Sequence, residues 1–212
     1  MDLPLFIQMQ RRFNTPMRII AGEFRGRPLL SPESDSTRPI TDRAKQSLFD
    51  ILAPLIPDSV VYDIFAGTGS MGLECLSRGA KQAVFFELDK TAVALLRRNI
   101  TTFKVERRSR VVPGDIFGWF NSREATDLLP ADLVFFDPPY RFVRERAKEL
   151  LATALAISKR LTPGSRIVFR HDAADQLELP PLRQYDLRTY GGMAIELLTI
   201  PDSPTDADPT GN

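Results

Sequence analysis

The chain reads as an α/β protein built on a mainly parallel sheet with helices on both faces, and three observations predict it. Short, continuous apolar runs alternate with helix-like stretches from residue 60 onward, the pattern of parallel strands buried on both sides. The first of these runs leads into a glycine-rich turn, Gly67-Thr68-Gly69-Ser70-Met71-Gly72, followed by a helix. Near the end, two strand-like runs (Tyr185–Tyr190 and Met193–Ile200) flank Gly191-Gly192, which favours a hairpin and one antiparallel strand.

The elements follow in order. Residues 1–16 carry their apolar stretch before the arginines, the reverse of a secretory signal, and are expected to form a disordered extension. Met17–Leu30 has breaks at Gly22 and Gly26 and reads as a small β-hairpin, so residues 17–40 form an arginine-bearing hairpin and loop. From Thr41, an N-cap, residues Ala44, Leu48, Ile51, Leu52 and Leu55 share one face of a helix that ends near Pro57. Strands are expected at Val60–Phe65, Ala83–Phe86, Arg110–Val112, Leu133–Phe136 and Arg166–Phe169, each followed by a helical stretch. The clearest helices are Thr91–Phe103 and Phe142–Arg160. Residues 41–200 thus form the main domain, and the acidic, Pro-rich residues 201–212 a disordered tail.

At 212 residues the chain suits one compact unit, and 43% hydrophobic with 26% charged residues argues against disorder. No apolar run approaches the roughly 18 to 20 residues that span a bilayer. One cysteine and one histidine exclude a disulfide framework and a zinc site of N/S ligands, so a reducing, cytoplasmic setting, no metal and no membrane partner are expected. The net charge is only +1, yet the basic set is 22 Arg against 6 Lys. Arginine's planar fork suits phosphates and base edges. Residues 11–27 carry a local excess of +4 and residues 97–110 one of +5, and a third cluster follows residue 140, all pointing to a polyanionic partner.

The Gly67/Gly69/Gly72 turn is a nucleotide-type site, and Glu87, 20 residues beyond Gly67, stands where an acid would hold ribose hydroxyls. Asp63, just before the turn, would repel a pyrophosphate but attract the cationic amino-acid portion of S-adenosylmethionine. Asp115, at the end of the third strand, is expected to contact the adenine amine. The strongest signal is Asp137-Pro138-Pro139-Tyr140 after the fourth strand. Its prolines remove N–H donors and leave the Asp137 carboxylate and the Pro138 carbonyl as acceptors beside an aromatic face. An exocyclic amino group fits there, its base stacked on Tyr140 and its nitrogen aimed at a cationic methyl group. Cys75 is expected in the core, His171 at the surface or in a cap, and Trp119 in packing.

The run from Tyr62 to Glu74, with Ser77-Arg78-Gly79-Ala80, resembles the opening motif of the RsmD family, bacterial small-subunit rRNA guanine-N2 methyltransferases. Met17-Arg18-Ile19-Ile20-Ala21-Gly22, Arg38-Pro39-Ile40-Thr41-Asp42-Arg43, Phe86-Glu87-Leu88-Asp89 and Asp137-Pro138-Pro139-Tyr140 resemble it in the same order, over residues 17–200. Ile40 stands where that family more often has Thr, and residues 1–16 precede its usual start, either as an extension or with Met17 as the first residue. The resemblance implies a Rossmann-like class I methyltransferase with a seven-stranded sheet and an antiparallel last strand. It implies methyl transfer from S-adenosylmethionine, leaving S-adenosylhomocysteine, to guanine N2 of 16S rRNA in the small ribosomal subunit or its precursor, by a monomer. The expected catalytic residues are Asp137, Pro138 and Tyr140. Asp63, Phe65, Gly67, Gly69, Glu87, Leu88, Asp115 and Ile116 are expected to bind the cofactor, and Arg18, Arg25, Arg27, Arg38 and Arg43 the RNA. Two alternatives stand beside this reading: adenine methylation in DNA, which usually needs a separate sequence-reading region, and an RNA-binding assembly factor with a disused cofactor fold.

Overall fold

A computed structural model of the protein describes residues 17–32 and 40–201. The expected extension at 1–16, the tail beyond Pro201, and Arg38 lie outside these described residues. Helix α1 (Asp42–Leu52) starts at Thr41, whose hydroxyl accepts the Ala44 N–H at 3.3 Å, and runs into a 3-10 turn at Ala53–Leu55. Then follow β1 (Val60–Ile64), α2 (Ser70–Ser77), β2 (Gln82–Glu87), α3 (Lys90–Phe103), β3 (Ser109–Pro113) and β4 (Ala131–Phe136). The chain continues through α4 (Arg141–Glu145), α5 (Ala147–Ser158), β5 (Leu161–Asp172), β6 (Arg183–Tyr190) and β7 (Met193–Thr199).

The seven strands form one sheet in the order β3-β2-β1-β4-β5-β7-β6. Neighbours among β1 to β5 pair in parallel, and β7 is antiparallel to both β5 and β6, so the last strand is the reversed one. Alternate residues feed two cores. Val61, Phe85 and Phe135 face α1, α2 and α3, whereas Tyr62, Phe86 and Phe136 face the α4–α5 side. Burial on both faces is why these strands read as unbroken apolar runs.

Three expectations about the connections are corrected. The β3-to-β4 crossover holds two 3-10 turns, Trp119–Asn121 and Arg123–Asp127, rather than an α-helix, because Pro113, Gly114 and Gly118 interrupt the pattern. No helix follows β5, where Pro180-Pro181 removes two backbone donors. The helix expected over Phe142–Arg160 breaks at Arg146 (φ −130°, ψ 30°), whose guanidinium sits 3.9 Å over the Phe117 ring.

The N-terminal segment folds back on itself as a short antiparallel turn and is also fastened to α2. Its one isolated bridge joins Arg18 and Pro28. Across the same turn Ile19 N–H donates to the Arg27 carbonyl at 3.0 Å, Gly26 N–H to the Ile19 carbonyl at 2.8 Å and Leu29 N–H to the Met17 carbonyl at 2.7 Å, while the donors at the bend turn to α2. Ile20 and Ala21 N–H donate to the Glu74 carboxylate at 2.8 and 2.9 Å, and Phe24 N–H to Ser77 Oγ at 2.9 Å. Gly22 adopts φ 82° against the Ser77 carbonyl, where a Cβ would lie 2.0 Å from the oxygen, so no other residue fits. Ile19, Phe24 and Leu29 are buried in the first core. No helix among the described residues is long and apolar enough to cross a membrane.

Candidate functional site

The C-terminal ends of β2, β1 and β4 lie side by side, because Ile64 pairs with both Phe86 and Phe136. That register brings Asp63, Glu87 and Asp137 to one rim of the sheet, where ligands of open α/β folds bind. Between β1 and α2 the chain turns tightly. Phe65 takes φ 62°, a left-handed conformation that a bulky residue adopts at a cost, and its ring packs on Phe117, Phe136 and Phe142. Gly69 follows at φ 85° as the N-cap of α2. At Gly72 a Cβ would lie 2.4 Å from the Phe85 ring, so its absence lets α2 lie directly on β2.

The carboxylates organise this turn. Buried Asp63 accepts the Gly72 N–H at 2.8 Å. Burial pushes its pKa up to about 7 against that hydrogen bond, with the nearby Asp137 and Glu87 adding to the rise. Glu87 accepts the Gly67 N–H at 2.7 Å and the Asp89 N–H at 2.8 Å, fastening the turn to the end of β2. A carboxylate has about four lone-pair sites, so two acceptor sites on Glu87 stay open. Leu88 beside it is 59% exposed, although it is a large apolar residue. Asp115 accepts the Phe117 N–H at 3.0 Å and lies 3.9 Å from Arg146, while Ile116 is buried. The eight residues expected to bind a cofactor therefore surround one rim, with Ile116 contributing its side chain to the core.

Asp137 is held as sequence reasoning did not anticipate. Arg170 grips it through both oxygens, Nε to Oδ1 at 2.7 Å and Nη2 to Oδ2 at 2.5 Å. The clue was an arginine directly after the otherwise apolar run Ile167-Val168-Phe169. Pro138 is buried, and among the described residues its carbonyl accepts no hydrogen bond. Tyr140 packs against the first core.

The expected RNA-binding arginines divide. Arg18 pairs with Asp42 at 2.7 Å, and Arg27 lies 4.6 Å over the Phe103 ring while donating to the Thr102 carbonyl at 2.7 Å. Arg18, Arg25 and Arg43 line a cavity of about 370 Å³; Arg43 also lines one of about 580 Å³ with Arg188, an arginine outside the expected set. Both cavities run along α1 and not at the strand ends.

His171 corrects its expectation: it is buried, bonded to the Asp172 carbonyl at 2.8 Å and to Glu196 at 3.0 Å. Burial opposes its charge, but Glu196 and that carbonyl outweigh it and hold the pKa above the usual value. Cys75 is buried, which pushes its thiol well up, and Trp119 packs edge-on against Phe86.

Comparison with known proteins gives concordant matches. The family described as Conserved hypothetical protein 95 matches residues 17–199. "Ribosomal RNA small subunit methyltransferase D" of Escherichia coli K12 is 42% identical over 125 residues, 59% of this chain and 61% of that protein. The match thus spans under two thirds of that relative's length. The protein of the same name from Haemophilus influenzae is 41% identical over 137 residues, 64% of this chain and 70% of its own. A solved structure of a hypothetical protein from Thermus thermophilus superposes with a TM-score of 0.69 at 31% identity, covering 86% of this chain and 99% of that one.

Proposed function

The chain belongs to the RsmD family, described as Conserved hypothetical protein 95, and from that premise we propose that it methylates the N2 amino group of a guanine in 16S rRNA, within the small ribosomal subunit or a precursor of it. The observation that carries the reading is the turn at the end of β4: the Asp137 carboxylate and the unpartnered Pro138 carbonyl lie beside a glycine turn ringed by carboxylates.

The residues present fit S-adenosylmethionine. Asp63, Glu87 and Asp137 converge with one guanidinium, Arg170, among them, so the rim carries surplus negative charge, and a ligand bearing a sulfonium and an ammonium would offset it. Asp63 would face the ammonium, Glu87 the ribose hydroxyls through its open acceptor sites, and Asp115 the adenine amine. Phe65, Gly67, Gly69, Leu88 and Ile116 would line the remainder. When bound, this cofactor supplies a methyl group on a cationic sulfur that leaves as a neutral thioether.

The protein's part is orientation. Asp137 and the Pro138 carbonyl each accept one hydrogen of the exocyclic amine, which fixes the nitrogen lone pair toward the methyl group, and the Tyr140 ring stacks on the base. The amine nitrogen, once methylated, would shed one proton to solvent, and no covalent enzyme adduct is needed. Cys75, buried within α2, has no route to a base. Arg18, Arg25, Arg38 and Arg43 would hold RNA phosphates while Arg27 stays packed over Phe103, with residues 17–40 as the capture segment ahead of a methyltransferase domain at 41–200.

Asp137→Ala tests this reading. Turnover on 16S rRNA should fall by about 3 kcal/mol or more in barrier while cofactor affinity, by calorimetry, stays near the parent value. Near-normal turnover would sink it. Mapping the methylated base by mass spectrometry checks the N2 position.

A further inference from the structure

We infer that Arg170 is a positioning residue for Asp137, presetting the carboxylate edge that receives the amine; this rests on the proposed amine methylation. Phe136 of β4 pairs with Phe169 of β5, so Asp137 and Arg170 are the next residues on adjacent parallel strands. They stand differently. Asp137 has left the ladder and enters the proline turn, its N–H making one long hydrogen bond, 3.3 Å, to the Ile64 carbonyl. Arg170 remains in the sheet, with its backbone in the antiparallel ladder opposite Ile195 and Nη1 3.7 Å from Met193 Sδ. The anchored partner therefore fixes the looser one.

A single lysine-like contact would leave the carboxylate free to rotate about its Cβ–Cγ bond. The planar fork prevents this by engaging both oxygens at once, at 2.7 and 2.5 Å. It occupies two of the roughly four lone-pair sites and leaves the opposite edge for a substrate donor. Both side chains are mostly buried, at 13% and 16% exposure, so water competes little for either. Because both oxygens already carry charge-assisted hydrogen bonds, Asp137 serves as an acceptor that orients the amine, and the departing proton goes to solvent.

The fork is the feature to remove. Arg170→Lys keeps a positive charge beside Asp137 but not the bidentate geometry, and Arg170→Gln keeps a donor without charge. Methyl transfer to 16S rRNA should be measured at saturating substrates, with kcat expressed per cofactor-binding site from calorimetric stoichiometry, alongside KM for RNA and the melting temperature. In Arg170→Lys, kcat should fall about 10- to 100-fold while KM and cofactor affinity stay within about twofold, since orientation at the reacting nitrogen is what is lost. Arg170→Gln should fall at least as far. The inference is overturned if Arg170→Lys keeps kcat within about twofold of the parent, or if its loss lies in KM or in the fraction of binding sites. Should Arg170→Gln fail to fold, Arg170→Lys decides alone, because it leaves no buried charge unpaired. The parent protein and Asp137→Ala run beside them. A parent that transfers no methyl to guanine, or an Asp137→Ala that matches it, rejects the proposed function. An active parent with an inactive Asp137→Ala and an unchanged Arg170→Lys rejects only the role of Arg170.

Discussion

Glu74 and Asp63 are both buried carboxylates, one on α2 and the other beneath it, and the protein treats them oppositely. Glu74 is surrounded by donors from its own chain: Ile20 and Ala21 N–H, Lys45 at 3.1 Å and Arg78 at 2.8 Å. Lys45 is itself buried, which lowers its pKa despite Glu74, and it also donates to the Arg18 carbonyl and Ser70 Oγ. Asp63 has one backbone N–H, with two other carboxylates nearby and only the field of Lys45, already engaged by Glu74, to offset them. A fully partnered buried charge ties segments together, here residues 17–32 to α1 and α2. An under-partnered one at a strand end is poised for a ligand. The difference separates a structural ion cluster from the proposed cofactor site.

The largest effect expected of this contrast is on stability. Glu74→Ala strands Lys45 and two backbone donors, and should cost about 3–5 kcal/mol in denaturant unfolding. A loss under 1 kcal/mol would show that the cluster ties nothing down.

Asp63→Asn should do the reverse. Because the folded protein holds the Asp63 proton up to about pH 7, against an ordinary value near 3.8, the parent binds more protons folded than unfolded between those values. Its stability therefore declines as pH rises through that window, by at most about 4 kcal/mol, and is level above it. The Asn variant lacks this decline, so relative to the parent it should gain stability from pH 4 to pH 7.5. A difference between the two that stays constant with pH would refute the assignment. If Asp63 faces an ammonium, cofactor affinity of the parent should weaken as pH falls below 7, and that of Asp63→Asn should not.

Glu87→Ala removes both the proposed ribose acceptor and the fastening of Gly67. Cofactor affinity should fall by about 1.5–3 kcal/mol, read by calorimetry, with RNA affinity unchanged. Equal losses for both ligands would mean that Glu87 only supports the fold.

The smallest effects concern the arginines, and they split the N-terminal segment itself. Arg25→Ala should lower the salt dependence of rRNA binding by a slope of roughly 0.7 to 0.9. Arg27→Ala, which gives up its place over Phe103, should cost about 1 kcal/mol of stability instead. Identical behaviour in the two variants would erase that division.

Much of this architecture was legible before any coordinates. Strands β1, β2 and β4 declared themselves as apolar runs because both their faces are buried, and the glycine turn and Asp137-Pro138-Pro139-Tyr140 did so because they depend on backbone constraints carried by adjacent residues. The helix cap at Thr41 is local in the same way. Connections were less legible. Residues 114–130 and 173–182 are packed by tertiary contacts and not by a helical period, so their pattern misled.

What the sequence by itself determined is the alternation of elements, the reversed final strand and the residues gathered at the turns, since these follow from propensity and periodicity over a few neighbours. Only the tertiary structure decided which distant partners those residues meet. Arg170 lies 33 residues from Asp137, and Ile20 lies 54 from Glu74. His171 is buried because β7 brings Glu196 beside it, and Arg27 is engaged because α3 passes beneath it. Strand order and register fix such pairings, and both are set by the packing of whole faces, a property that no short stretch of sequence carries.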